Sequence, residues 1–176
     1  MGKYDQPSRC SSGAPIHFRW YGFPTCADGT DLDTATDKFL GLLTARPRIP
    51  DRYVVGIARS EFRLRMTLAM QGKLEPVEEV KSVDSSNPPP LYEIRWQGIT
   101  FQETLQNGQI VDKKAAFRLY HSEPVGIPNI FVGHHIHEKL IGTEQETRDW
   151  QNAEIATAKG FYDAGFKTSW GIPVAP

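Results

Sequence analysis

Apolar and polar side chains alternate most clearly in three stretches of the second half of the chain. Residues 91–96 set Tyr92, Ile94 and Trp96 against Glu93 and Arg95, and residues 116–121 set Phe117 and Leu119 against Arg118 and Tyr120. Residues 129–137 set Ile130, Val132 and Ile136 against Phe131, His135 and His137. Successive side chains of a strand point to opposite faces, so each stretch predicts a strand with an apolar face and with Arg or His on the other. Three such neighbours make a half-open sheet with a polar working surface. A further strand is expected over 16–21, where Ile16, Phe18 and Trp20 alternate with His17, Arg19 and Tyr21. Asn107-Gly108 is a favourable two-residue hairpin turn, so 99–105 and 109–111 read as arms that prolong the sheet, inside an insertion spanning 97–115.

A period near 3.6 appears in three other places. Val54, Ile57, Leu64 and Leu68 form a stripe broken only by Glu61, which predicts a helix over about 51–71 stopped by Gly72. A shorter helix opens at Asp37, carries Phe39, Leu40 and Leu43, and ends at Pro47 and Pro50. The run Thr143-Glu144-Gln145-Glu146 is a capping box, opening a helix to about residue 164 with Trp150, Ala153, Thr157 and Phe161 inward. Residues 1–14 read as a flexible leader, 22–36 as a loop, 75–90 as a connector and 171–176 as a tail, with Trp170 in a loop. Ser85-Ser86-Asn87-Pro88-Pro89-Pro90 cannot be helix and should deliver the chain extended to the next strand. The pattern predicts a single α+β domain over 15–170.

Composition narrows the partners. The chain has 176 residues, enough to bury a substantial core. It holds no apolar run approaching the ~18 residues of a membrane span, and its first residues lack the apolar segment of a signal peptide. A cytoplasmic protein with no membrane partner is expected. Cys10 and Cys26 are the two cysteines, with no Cys-x-x-Cys pair, and read as incidental thiols. Asp28, Asp31, Asp33 and Asp37 lack the ligand spacing of a calcium loop and read as a solvated loop. Net charge is -1, which argues against a strong nucleic-acid binder, yet residues 46–65 hold six arginines against two acidic residues. Arg52, Arg59 and Arg63 share the outer face of the expected helix, either as a solvated basic face or as a phosphate-contacting one.

Two groups of residues can carry chemistry. His135 and His137, at i and i+2 of a strand, point the same way and could ligate a metal, but Glu138 faces the other side and no third ligand follows. They read otherwise as structural histidines at a strand end, or as general acid and base. Arg95 and Arg118 occupy polar faces of strands expected to pair, where guanidinium forks suit phosphate. Together with His135, His137 and Lys139 they would suit a phosphodiester, and no metal or cofactor is required if the attacking group is an RNA 2′-hydroxyl.

The order of strand, two helices, connector, Leu91-Tyr92-Glu93-Ile94-Arg95, Phe117-Arg118-Leu119-Tyr120, an apolar strand ending in His and Lys, then a capped helix with Glu154-Ile155-Ala156-Thr157-Ala158, resembles the RelE/ParE toxin superfamily. The HigB-like, phage-derived branch is the nearest in pattern, over roughly residues 16–165. The resemblance implies a small, mainly antiparallel sheet with helices packed on one side. It implies a toxin held by an antitoxin protein, most members being ribosome-associated endoribonucleases that cut mRNA and ParE-type members inhibitors of gyrase. Carried over, Arg118 contacts the scissile phosphate, Arg95 is the basic residue of the first motif, and His137 and Lys139 fall at the basic turn with His135 nearby. Arg59 and Arg63 are the further substrate-contact candidates. The expected activity is metal-independent mRNA cleavage; the alternative is a non-catalytic binding module on the same fold.

Overall fold

The computed structural model describes residues 7–45, 48–49, 51–83 and 91–173. Its strands are β1 (His17–Trp20), β2 (Arg48–Ile49), β3 (Val80–Ser82), β4 (Leu91–Thr104), β5 (Ile110–Ser122) and β6 (Ile130–Glu138). Its helices are α1 (Asp31–Leu43), α2 (Arg52–Met70) and α3 (Glu144–Phe166). The strands form one mixed sheet in the order β1-β6-β5-β4-β2, with β3 pairing the first half of β4 and β2 the second. β1 runs parallel to β6, and the other pairs are antiparallel. The fold is α+β.

Side chains of one sheet face pack under α1 and α2. Ile94, Trp96, Phe117, Leu119, Phe131 and Ile136 meet Phe39, Leu40, Phe62 and Met66 there in one buried cluster. Phe62 lies between Phe39 and Trp96, with ring centroids 4.7 Å away on each side. A second, smaller cluster joins Leu91 and Tyr120 to Ile155 and Ala158 of α3. Leu119 and Tyr120 are adjacent on β5, so their membership of different clusters places α3 on the face opposite α1 and α2. The expectation of helices on one side is corrected: the sheet is covered on both faces, and the polar surface lies under α3.

Local details follow from identifiable residues. Thr30 caps α1 by accepting from Asp33 N, so the helix starts six residues before Asp37 and absorbs most of the acidic stretch read as loop. Pro47 and Pro50, read as its terminators, and the 84–90 segment lie outside the described residues. Asp51 caps α2, and Gly72 follows its end at φ +68°, where any Cβ would strike the Ala14 backbone. The buried stripe of α2 is Ala58, Phe62, Met66 and Ala69, whereas Ile57 and Leu64 face outward. The small alanines and the glutamate had shifted the apparent stripe by one position.

The 97–115 segment continues β4 and β5 without a break in pairing beyond a bulge between Trp96 and Ile99. Gly98 sits in that bulge at φ +73°, and the one extra residue puts Trp96 and Ile99 on the same core face. Leu105 and Gln109 close a three-residue loop with Gly108 at φ +80°, one residue longer than the two-residue turn expected.

The start of the chain is docked over residues 7–14. Cys10 is fully buried in a short turn, Arg9–Ser11, and Arg9 donates to the carbonyls of Pro124, Ile127 and Ile130. The flexible-leader reading therefore does not describe 7–14, and residues 1–6 lie outside the described set. Trp170 is likewise buried, donating to the Tyr162 carbonyl, although it sits in a turn as expected.

Candidate functional site

Cross-strand register builds the site. Arg95 of β4, Arg118 of β5 and His137 of β6 face one another in one row, and Glu93, Tyr120 and His135 form the next. All six occupy the face covered by α3. Two arginines directly opposite each other repel, and the buried Glu93 carboxylate resolves this by bridging both. Its Oε1 accepts from Arg95 Nε at 2.8 Å and pairs with Arg118 Nη1 at 2.5 Å. The two guanidiniums hold the Glu93 carboxyl below its ordinary range against the opposing effect of burial.

The third strand carries a bulge between the Tyr120–His135 and His121–Gly133 pairs. It places His134 and His135 both toward α3, and Phe131 with Ile136 toward the core, where strict alternation had set those two on opposite faces. His134 is fully buried, within 2.8 Å of Ser122 Oγ and edge-on to Tyr162; burial lowers its pKa to about 3. It is a packing residue. His135 Nε2 lies 2.5 Å from Glu154 Oε2 of α3. The His135 and His137 rings stack in parallel, 5.9 Å apart, as the i, i+2 spacing implied.

His137 is buried, and burial lowers its pKa to about 4. Its Nδ1 donates to the Glu138 carbonyl at 3.0 Å, which fixes the tautomer and leaves Nε2 as an acceptor with no hydrogen-bond partner among the described residues. Lys139 follows at the strand end, its pKa lowered chiefly by desolvation and next by Arg118. Arg118, His137, Lys139, Gln151 and Glu154 line a cavity of about 70 Å³ between the sheet and α3, with Trp150 at its edge. Such a space holds a few waters or one phosphate-sized group.

Sequence reasoning thus named four residues that the fold brings together: Arg118, His135, His137 and Lys139. Arg95 belongs to the same row but is turned away, its Nη1 donating to the Val77 carbonyl at 3.0 Å. Arg59 and Arg63 are not part of the site. They lie on α2, across the sheet, where Arg63 pairs with Asp33 at 2.7 Å and Arg59 with Asp37 at 3.9 Å. The early start of α1 is the reason, because it lines these aspartates up beside α2. Glu138 points away as expected and pairs with Arg48 at 2.5 Å.

Glu154, Gln151 and Trp150 went unrecognised as site residues. The covered face of α3 is Gln151, Glu154, Ile155, Ala158 and Tyr162; of the expected stripe, Trp150 and Ala153 line the cavity while Thr157 is exposed. An apolar-stripe criterion cannot find a helix face whose job is to cover polar groups. Glu123 was also unmarked, yet it gathers Ser8, Arg9 and His121 just past the C-terminal end of β5.

Among the described residues no helix is long and apolar enough to cross a membrane. Compared with protein-family models, curated proteins and solved structures, the chain finds no match.

Proposed function

We propose that the protein cleaves RNA at the Arg118–His137–Lys139 cavity, as the toxin component of a toxin–antitoxin pair acting on mRNA at the ribosome. The observation that carries the reading is the convergence of a guanidinium, an imidazole of defined tautomer and an ammonium on one phosphate-sized space. In this reading Arg118 holds the scissile phosphate by a charge-assisted fork. His137 Nε2 takes the proton of the 2′-hydroxyl, whose oxygen attacks phosphorus. The P–O5′ bond breaks, and Lys139 protonates the departing 5′-oxygen while stabilising the developing negative charge. The products are a 2′,3′-cyclic phosphate and a free 5′-hydroxyl. Glu93 keeps Arg118 in place, and Arg95, held by the same carboxylate, adds positive potential.

The test is induced expression with transcript mapping, alongside Arg118→Ala and His137→Ala variants verified as folded. Loss of a phosphate-contacting arginine removes a few kcal/mol of transition-state stabilisation, about 10²-fold or more in rate. Cleavage unchanged in both variants overturns the proposal. A second reading, a non-catalytic module acting by contact with a protein such as gyrase or an antitoxin, is favoured by one observation. Tyr53, Ile57 and Leu64 project from α2 at 77%, 44% and 61% exposure, an apolar strip on the face away from the cavity. Growth arrest without RNA cleavage selects that reading.

A further inference from the structure

Cys10, His121 and Glu123 meet at the C-terminal end of β5, three residues beyond Arg118 but on the opposite face of the sheet from the cavity, with the thiol and the imidazole 111 positions apart in sequence. Among the described residues they are the group whose ligand atoms all lie within 4.8 Å of one another. Cys10 Sγ is 3.8 Å from His121 Nε2, and His121 Nε2 is 3.1 Å from Glu123 Oε1. A tetrahedral zinc ion with ordinary bond lengths sets sulfur and nitrogen about 3.6 Å apart, and nitrogen and oxygen about 3.4 Å apart. The observed edges depart from these by a few tenths of an ångström. We infer that this trio is a binding site for a zinc-class divalent cation, with Cys10 Sγ, His121 Nε2 and Glu123 Oε1 as ligands.

The surroundings orient the carboxylate and the imidazole, although His121 Nδ1 is buried with no hydrogen-bond partner among the described residues. The two Glu123 oxygens have separate duties. Oε2 accepts from Arg9 N at 2.8 Å and from Arg9 Nε at 3.3 Å, orienting the carboxylate as an outer partner should. Oε1 is left to His121 and to the Ser8 hydroxyl, 2.5 Å away. The imidazole is clamped by the Tyr92 ring stacked at 5.5 Å and by Phe131 edge-on at 5.3 Å. Ser8 Oγ, which also accepts from Cys10 N at 3.1 Å, or a water completes the fourth corner. One thiolate, one carboxylate and one neutral imidazole cancel the double positive charge of the ion, and the remaining positive charge is that of Arg9, whose side chain is partly exposed.

Loading releases a proton. The Cys10 thiol, which burial and the Glu123 charge keep protonated in the empty site, gives its proton to solvent. The imidazole binds through Nε2 as the neutral ring with its proton at Nδ1, so the proton released on loading is that of the thiol. The consequence is structural. The ion ties the N-terminal turn to the end of β5, joining segments that otherwise meet through hydrogen bonds and one ion pair. The mixed thiolate, imidazole and carboxylate set favours zinc over the hard cations magnesium and calcium.

The experiment is metal analysis of the full chain, with cobalt(II) as a spectroscopic probe. Wild type stripped with chelator and reloaded should hold one zinc per chain and show a thiolate-to-cobalt charge-transfer band in the near ultraviolet. Cys26→Ser should keep that band and Cys10→Ala lose it, both variants being checked for fold by circular dichroism. Zinc should raise the thermal midpoint of wild type and leave that of Cys10→Ala unchanged. Should Cys10→Ala fail to fold, Glu123→Gln, which keeps the hydrogen-bonding shape, must weaken zinc binding at least tenfold. The absence of a thiolate band in wild type, or equal bands in wild type and Cys10→Ala, overturns the proposal. Metal held only at His135 and His137 would give zinc without the thiolate band, and that outcome overturns it too.

Discussion

Single residues set the electrostatics of the cavity. Glu93 is enclosed, and its one carboxylate answers two guanidiniums across two strands. Removing one partner of a buried charged cluster leaves the others uncompensated, at about 3–5 kcal/mol. Glu93→Ala should therefore lose stability by about that amount in denaturant unfolding, and a loss under ~1 kcal/mol would show that Arg95 and Arg118 reach solvent instead. The histidines predict a pH window. His134 and His137 have native pKa values of about 3 and about 4, against an ordinary value of 6.5. As pH falls below the ordinary value, the unfolded chain binds protons on both rings and the native chain does not, so stability is complete above that value and declines beneath it. Urea midpoints should fall from about pH 7 to about pH 5, where paired carboxylates are still ionised. The same depression keeps His137 in its basic form at neutral pH, so any cleavage rate should be flat around pH 7 with respect to this group.

At the scale of elements, α3 decides whether the cavity exists. Its capping box is complete: Thr143 Oγ1 accepts from Glu146 N, and Glu146 Oε2 accepts from Thr143 N at 2.9 Å. Thr143→Ala should cost about 1 kcal/mol and speed hydrogen exchange in the first turns, those carrying Trp150 and Gln151 over the cavity. The far end is fixed differently. A Cβ on Gly165 would collide with the Trp170 and Tyr21 rings, so Gly165→Ala should cost about 1–3 kcal/mol through overpacking. Exchange should then rise at the last turns of α3 and leave the capped end protected. The capping box was legible because it is local: a hydroxyl and a carboxylate three residues apart need nothing beyond the helix. The burial of Gly165 was not, since Trp170 and Tyr21 reach it from elsewhere.

Across the whole molecule, the two sheet faces carry different kinds of side chain. The aromatic stack of Phe39, Phe62 and Trp96 holds α1 and α2 to one face, while the charged rows and the cavity occupy the other. Phe62→Ala should cost about 3–5 kcal/mol while leaving the pH and salt response of the cavity untouched in the folded protein. Arg118→Ala should abolish any RNA-directed activity and also cost stability, because it leaves the buried Glu93 carboxylate with Arg95 alone. Thermal unfolding of both variants, read beside cleavage assays below their midpoints, separates the two faces.

The strands of the second half, the cap of α3, the end of α2 at Gly72 and the polar row of Arg95, Arg118 and His137 followed from the sequence alone. Each depends on spacing along one segment, and backbone periodicity converts spacing into direction. Tertiary structure decided the rest. It placed α3 on the second face, because which face a helix covers depends on chain reversals that carry no periodic signal. It set Asp33 and Asp37 on Arg63 and Arg59, removing those arginines from the candidate surface. It shifted the phase at His134 through a bulge, and it carried Cys10 to His121 and Glu123. Contacts between distant segments arise only when the whole core closes, and no local pattern encodes them.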